Sequence, residues 1–155
     1  MKISVITISD RASQGIYKDT AGPAIVKILK ETLESCTVTQ TIIPDVREEL
    51  LRAFTETTKA DVIITTGGTG LSPRDITPEV TAEYCDRLIP GIAEYIRIES
   101  LKETPNAVFS RGIAGLKGGT VIINFPGSLR AATFCSTLIA PLLPHAIKMS
   151  AGKGH

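Results

Sequence analysis

Four stretches of the chain, Lys2 to Ser9 (KISVITIS), Thr37 to Ile43 (TVTQTII), Asp61 to Thr66 (DVIITT) and Thr120 to Phe125 (TVIINF), are dense in Val, Ile and Thr, and each predicts a strand. The first and third are apolar nearly throughout rather than alternating, as in strands covered on both faces. Between them the apolar spacing lengthens to helical intervals. Gly22 to Glu34 carries Ile25, Ile28 and Leu29 on one face and follows Asp19-Thr20; Val46 to Thr58 carries Leu50, Leu51 and Phe54. The second of these opens at Asp45 with Glu48 three residues on, a start resembling a capping box. Thr77 followed by Pro78 reads as an N-cap and first turn, predicting a helix to about Arg87, and GIAEYIRIESLK predicts another after the Pro90-Gly91 break.

The segment SRGIAGLKGGTVIINF reads as two strands joined at Lys117-Gly118-Gly119, and a last helix is expected from near Ser128 to Leu138 or beyond. The order βαβαβ, then helices, a hairpin and a helix, predicts an α/β fold: a three-layer α/β/α sandwich with a mainly parallel sheet and a β-hairpin. Residues 1–155 are expected to form one domain, with no internal repeat, low-complexity segment or linker.

Composition narrows the function classes. Apolar residues make up 43% and charged residues 21%, and 17 Lys and Arg nearly cancel 16 Asp and Glu, scattered singly, so a nucleic-acid partner is not expected. The opening MKISVITISD is broken by Ser, Thr and Asp before it reaches the length of a signal or membrane-spanning segment, which predicts a cytoplasmic protein without membrane attachment. Cys36, Cys85 and Cys135 are odd in number, far apart and without CxxC spacing, so they read as reduced thiols.

Chemistry is expected beyond the carboxyl ends of the strands, where loops vary freely and helix N-termini present unpaired N–H groups. Three such ends are polar: SDRASQGIYKD after the first strand, GGTGLSPRD after the third, and NFPGS after the last. Gly67, Gly68 and Gly70 permit positive φ and close backbone approach, so that successive N–H groups can converge on a phosphate, with Thr66, Thr69 and Ser72 adding hydroxyls and Arg74 adding charge. The same glycines also fit a merely tight turn. No Gly-Lys-Ser/Thr follows, which excludes a Walker A loop, and Pro73 stands where the third glycine of a dinucleotide fingerprint would fall.

Asp45 and Asp75 should both reach the rim holding the glycine loop, where a carboxylate beside phosphates calls for a cation such as Mg²⁺. Taken alone, Asp45 also fits a helix N-cap, Asp10 and Arg11 a surface ion pair, and Asp19 a cap for the first helix. His145 and His155, the only histidines, have no second ligand at helical spacing. Ser128 lacks a GxSxG elbow and reads as a helix-capping, anion-donating residue.

SDRASQGIYKDTAGP, IPD, TTGGTGLSPRDITPE and NFPGS, in this order and at these intervals, resemble the molybdopterin adenylyltransferases of the MogA/MoaB family, related to the G domains of gephyrin and its plant counterpart. The likeness covers almost the whole chain. The Asp10-Arg11 to Lys18-Asp19 segment is closer to MogA, whereas SRGIAGLKGGTVIINFPGS is more like MoaB. The resemblance implies a molybdopterin-binding-domain-like fold, molybdenum cofactor biosynthesis, and transfer of AMP from ATP to the terminal phosphate of molybdopterin with release of pyrophosphate. It maps the family's two functionally important aspartates onto Asp45 and Asp75, as catalytic residues and as positions for Mg²⁺. It implies contacts to pterin and nucleotide from Ser9, Asp10, Arg11, Ser13, Thr66, Gly67, Gly68, Thr69, Gly70, Arg74, Asn124, Pro126, Gly127 and Ser128. It also implies a homotrimer, with hexamers in some members, working beside other cofactor-biosynthesis proteins.

Two rivals stand beside this expectation. A non-catalytic molybdopterin carrier or scaffold of the MoaB type would keep the glycine loop without needing the aspartates. A nucleotide-binding regulator of the same architecture would bind adenine nucleotide and ignore molybdopterin.

Overall fold

Alternate residues of the apolar segments face opposite layers of helices, so these strands have no polar side. The computed structural model describes residues 1–57 and 59–152. In chain order the elements are β1 (Lys2–Ile8), α1 (Asp10–Ser13), α2 (Ala21–Thr32), β2 (Thr37–Ile43), α3 (Arg47–Glu56), β3 (Val62–Thr66), α4 (Thr77–Tyr84), β4 (Arg87–Leu88), α5 (Pro90–Glu103), β5 (Ala114–Lys117), β6 (Thr120–Phe125), α6 (Leu129–Ile139) and α7 (Leu143–Ser150). Short 3-10 helices occupy Pro105–Phe109 and Ala140–Leu142.

The six strands are ordered β2-β1-β3-β6-β5-β4. Strands β2, β1, β3 and β6 run parallel, and β5 and β4 add on antiparallel through the hairpin. Ile3, Val5, Val62, Ile64, Val121 and Ile123 pack on one face with Ile25, Leu29, Ile96, Cys135 and Ile139. Ile6, Ile8, Ile63 and Ile122, one residue out of phase, pack on the other face with Leu50, Phe54 and Val80. The expected three-layer α/β/α sandwich with a mainly parallel sheet is therefore present.

The strand boundaries agree with the apolar runs to within a residue, and the hairpin turns at Gly118-Gly119, with Gly118 at φ 56°. Helix starts differ more. Asp45 does not cap α3, whose N-cap is Val46 with no side-chain cap; the Asp45 carboxylate accepts the Asp10 N–H instead, at 2.9 Å. The expected end of that helix, Thr58, lies outside the described residues, as does His155. Thr77 is the first helical residue of α4 rather than its cap, because its hydroxyl donates to the Gly67 carbonyl at 3.1 Å. Helix α4 ends at Tyr84, short of Arg87, because Arg87 and Leu88 leave to pair with β5. Ser128 does cap α6, accepting the Ala131 N–H.

Asp19 takes the expected capping role and a larger one. Its Oδ1 accepts the N–H groups of Ala21 and Gly22 at the start of α2, and its Oδ2 accepts from the Thr7 hydroxyl of β1 and the Gln40 amide of β2. A buried carboxylate with no ion-pair partner among the described residues is thus balanced by four donors and by the helix N-terminus. All three cysteines are free thiols. No helix among the described residues is long and apolar enough to cross a membrane.

Asp19→Ala leaves the Thr7 hydroxyl and the α2 N–H groups buried without an acceptor. We expect it to cost about 3 kcal/mol of stability, a magnitude set by orphaned buried donors, measured as a lowered urea midpoint at unchanged slope.

Candidate active site

The parallel strands end side by side, so their loops form a rim whose order repeats that of the sheet. Asp45 follows β2, Ser9 and Asp10 follow β1, the Gly67–Gly70 loop follows β3, and Pro126 to Ser128 follow β6. The chain crosses from one side of β1 to the other between β2 and β3, which is where an open α/β sheet leaves a crevice.

The glycine loop is wedged between its neighbours. Gly67 has φ 106°, and a Cβ there would stand 2.2 Å from the Ile8 carbonyl oxygen. Gly68 has φ 64°, and a Cβ on it would meet the Thr77 hydroxyl at 2.3 Å and Asp45 Oδ1 at 3.3 Å. On the β6 side the Thr66 hydroxyl donates to the Pro126 carbonyl and Gly67 N–H to the Phe125 carbonyl. Among the described residues the N–H groups of Gly68, Thr69, Gly70 and Leu71 enter no hydrogen bond, so consecutive donors remain for an anion.

Two environments flank this loop. Towards β6 lies a cavity of about 460 Å³ lined by Gly67, Gly68, Thr69, Gly70, Asp75, Pro126, Gly127 and Ser128. Its far wall is largely apolar, built by Ile96, Ala107, Phe109 and Ala131, with Arg97 the one cation among the described lining residues. Ser128 at the start of α6 brings a helix N-terminus to the same space.

Towards β1 and β2 lies a charged cluster. Asp10 and Asp45 bind each other's backbone reciprocally, Asp10 N–H to Asp45 Oδ2 and Asp45 N–H to Asp10 Oδ1, each at 2.9 Å. Arg74 from the glycine loop caps the cluster by pairing with Asp10 at 2.5 Å. The expected Asp10–Arg11 pair does not form: Arg11 lies over the Tyr17 ring, because the Asp10 carboxylate faces the rim and not its sequence neighbour.

The two aspartates titrate in opposite directions. The Arg74 hydrogen bond, with the Asp45 N–H, holds Asp10 below the ordinary carboxyl range. Burial pushes Asp45 above it, the Asp10 N–H opposes, and the charges of Asp10 and Asp75 push further up than Arg74 pulls down.

Asp75 Oδ2 accepts the Ser72 N–H, which folds the Ser72–Asp75 segment into a closed turn with the Asp75 N–H on the Ser72 carbonyl. One oxygen of Asp45 and one of Asp75 enter no hydrogen bond among the described residues. No group of three or more His, Cys, Asp or Glu side chains suited to a metal occurs among the described residues. Two hard carboxylates with free oxygens in an anionic setting are nevertheless the donor type that suits Mg²⁺, and Asp45 and Asp75 would be the residues to hold it.

The remaining sequence candidates are placed differently. Ser9 caps α1 and Ser13 returns its hydroxyl to the Asp10 carbonyl. Asn124 points inward, accepting the Ile113 N–H and donating to the Thr65 and Thr81 hydroxyls, so its amide is a structural post under the rim. The sequence reading omitted the far wall and Arg111, whose side chain reaches Gly70, Asp75 and Glu79.

Residues 4–145 match the family described as "Probable molybdopterin binding domain". The chain is 41% identical over 148 residues to the molybdenum cofactor synthesis protein cinnamon of Drosophila melanogaster, covering 94% of this chain and 25% of that much longer protein. It is 38% identical over 154 residues to a molybdopterin adenylyltransferase of Helicobacter pylori, covering 97% of this chain and 88% of the relative. The crystal structure of the tungsten cofactor synthesizing protein MoaB from Pyrococcus furiosus superposes with a TM-score of 0.87 at 34% identity, covering 96% of each chain.

The raised Asp45 carboxyl makes a stability prediction with a definite sign. A carboxyl whose folded pKa is raised favours the fold while protonated, and that contribution is lost as pH rises through the folded pKa. Asp45→Asn keeps an acceptor for the Asp10 N–H without the buried charge. It is expected to melt above the wild type at pH 7, with the advantage shrinking as pH falls through the carboxyl range; a thermal-melt series between pH 7 and pH 4 checks this.

Proposed function

The chain belongs to the molybdopterin-binding domain family, and on that footing we propose that it is a molybdopterin adenylyltransferase of molybdenum cofactor biosynthesis, transferring AMP from ATP to the terminal phosphate of molybdopterin. The observation that carries this reading is the glycine loop itself, which has an apolar cavity on one side and two carboxylates with free oxygens close to it.

In the proposed reaction an oxygen of the molybdopterin phosphate forms a bond to the α-phosphorus of ATP. The bond from that phosphorus to the bridging oxygen breaks, and pyrophosphate leaves. The chain's task is to hold two polyanions in line and to meet charge growing on the leaving group. The N–H groups of Gly68 to Leu71 and the α6 N-terminus at Ser128 supply fixed donors that need no reorganisation as charge develops. The apolar wall of Ile96, Ala107 and Phe109 offers a flat-ring ligand an apolar surface to pack against.

Asp45 and Asp75 would act on the reacting phosphates by holding a cation beside them, and Arg74, released from Asp10 by an incoming phosphate, is a donor to the nucleotide. Mg²⁺ held by the two aspartates would neutralise phosphate charge when bound. One domain over residues 1–155 carries the whole reaction, in the cytoplasm and alongside the other proteins of cofactor assembly.

A homotrimer is part of the same proposal. Helix α5 exposes Tyr95, Ile98 and Leu101, which recur at helical spacing as one apolar stripe. Ile98→Arg is expected to move the protein towards monomer in sedimentation velocity.

The decisive experiment is anaerobic incubation with molybdopterin and Mg²⁺-ATP, following adenylylated molybdopterin and pyrophosphate. Wild type is expected to make both. Asp45→Ala and Asp75→Ala are each expected to lose about a hundredfold or more in turnover, a magnitude typical of lost electrostatic positioning, while still binding molybdopterin. Binding without any turnover by the wild type would replace the enzyme with the carrier.

A further inference from the structure

We propose that Arg111 is a positioning residue that sets the orientation of the glycine loop's peptide groups, and with them the anion-binding N–H donors; this rests on the adenylyltransferase reading for its catalytic consequence. Arg111 lies 41 residues from Gly70 in sequence, yet its Nε donates to the Gly70 carbonyl at 2.7 Å. Its Nη2 donates to the Asp75 carbonyl at 2.6 Å, and its Nη1 pairs with Glu79 on α4. Its own N–H donates to the Thr69 carbonyl at 3.0 Å. One residue therefore holds three carbonyls of the loop that follows β3.

The consequence follows from peptide geometry. Every peptide bond in the described residues is trans, so a carbonyl and the N–H of the next residue point in opposite directions. With the Thr69, Gly70 and Asp75 carbonyls turned towards Arg111, the N–H groups of Gly70, Leu71 and Ile76 are turned away from it. Gly70 and Leu71 are among the donors left free for an anion. The grip on the Asp75 carbonyl fixes the backbone from which that carboxylate projects.

Arg111 is itself anchored. Arg97, on α5, donates to the Gly112 carbonyl at 2.7 Å. Asn124 of β6 accepts the Ile113 N–H on its side chain, and its own N–H donates to the Ile113 carbonyl. The Ser110–Ile113 strap is thus tied to the helix on one side and to the central sheet on the other. A planar guanidinium with donors in a fixed fork can hold two carbonyls at once, which a lysine ammonium on a flexible stem cannot do with the same geometry.

The test uses amide exchange in the ligand-free protein together with turnover. Ser72, Asp75 and Thr77 N–H groups are hydrogen-bonded within or onto the loop and report its closure. In Arg111→Ala their exchange is expected to rise about tenfold or more, the effect of losing charge-assisted hydrogen bonds, with β1 and β6 amides unchanged. Turnover should fall by about a hundredfold while KM for molybdopterin stays within about threefold, the pattern of a group that acts in the transition state. Arg111→Lys should recover part of both.

Loop exchange at the wild-type rate in Arg111→Ala, or unimpaired turnover, overturns the proposal. If Arg111→Ala exchanges fast everywhere, Arg111→Lys decides: faster exchange confined to the loop supports the proposal, and wild-type exchange there defeats it. Absence of adenylyl transfer in the wild type would instead defeat the proposed function, leaving exchange to judge the hold of Arg111 on the loop.

Discussion

Everything at the rim depends on how closely the backbone at Gly67 passes its neighbours. Adjacent strands in a sheet are about 4.8 Å apart, so the loops leaving β1, β3 and β6 compete for the same space. The chain resolves this by removing side chains at the crossing. A Cβ on Gly67 would stand 2.2 Å from the Ile8 carbonyl, and a Cβ on Gly127 would stand 3.1 Å from the Gly67 Cα. A backbone carbonyl in a strand cannot swing aside as a side-chain terminus can. Any residue larger than glycine at position 67 must therefore part β1 from β3, and with them the Asp10–Asp45 cluster from the donors of the glycine loop.

The same closeness explains what was legible in the sequence. Strands with apolar residues on both faces are decided locally by β-branched density, and the structure follows that density to within a residue. Helix starts are not decided locally. Asp45 and Thr77 are residues that demand a partner near a helix N-terminus, and local sequence supplies one. In the fold a stronger claim exists, the Asp10 N–H for Asp45 and the Gly67 carbonyl for Thr77. Both claims come from loops packed against each other only because their strands are neighbours.

Charge partners show the same limit. Asp10 pairs with Arg74, distant in sequence, and not with adjacent Arg11, since the β1 loop and the glycine loop meet at the rim. Asn124, in a strand whose one other polar residue is Thr120 at its start, carried a real signal of special chemistry, but the demand it meets is internal: a buried amide joining β6 to Thr65 and Thr81. Arg111 gave no signal, being an ordinary basic residue before a hairpin whose partners lie in another loop. The cavity's far wall was equally hidden, because α5 and the Pro105–Phe109 turn have no pattern that distinguishes lining a cavity from covering a core.

The electrostatics of the rim follow from this division of labour. Among the described lining residues the cavity has a single cation, Arg97, and that guanidinium already donates to the strap carbonyls. Arg74 is engaged with Asp10, and burial, together with the neighbouring charges of Asp10 and Asp75, works against ionisation of Asp45. With Arg74 and Arg97 both engaged before a ligand arrives, what the resting site first offers a phosphate is its oriented N–H dipoles, whose strength depends on direction rather than on net charge. Direction in turn depends on the residues that hold the opposite ends of those peptides, which is why such an anion site requires a rigid loop behind it.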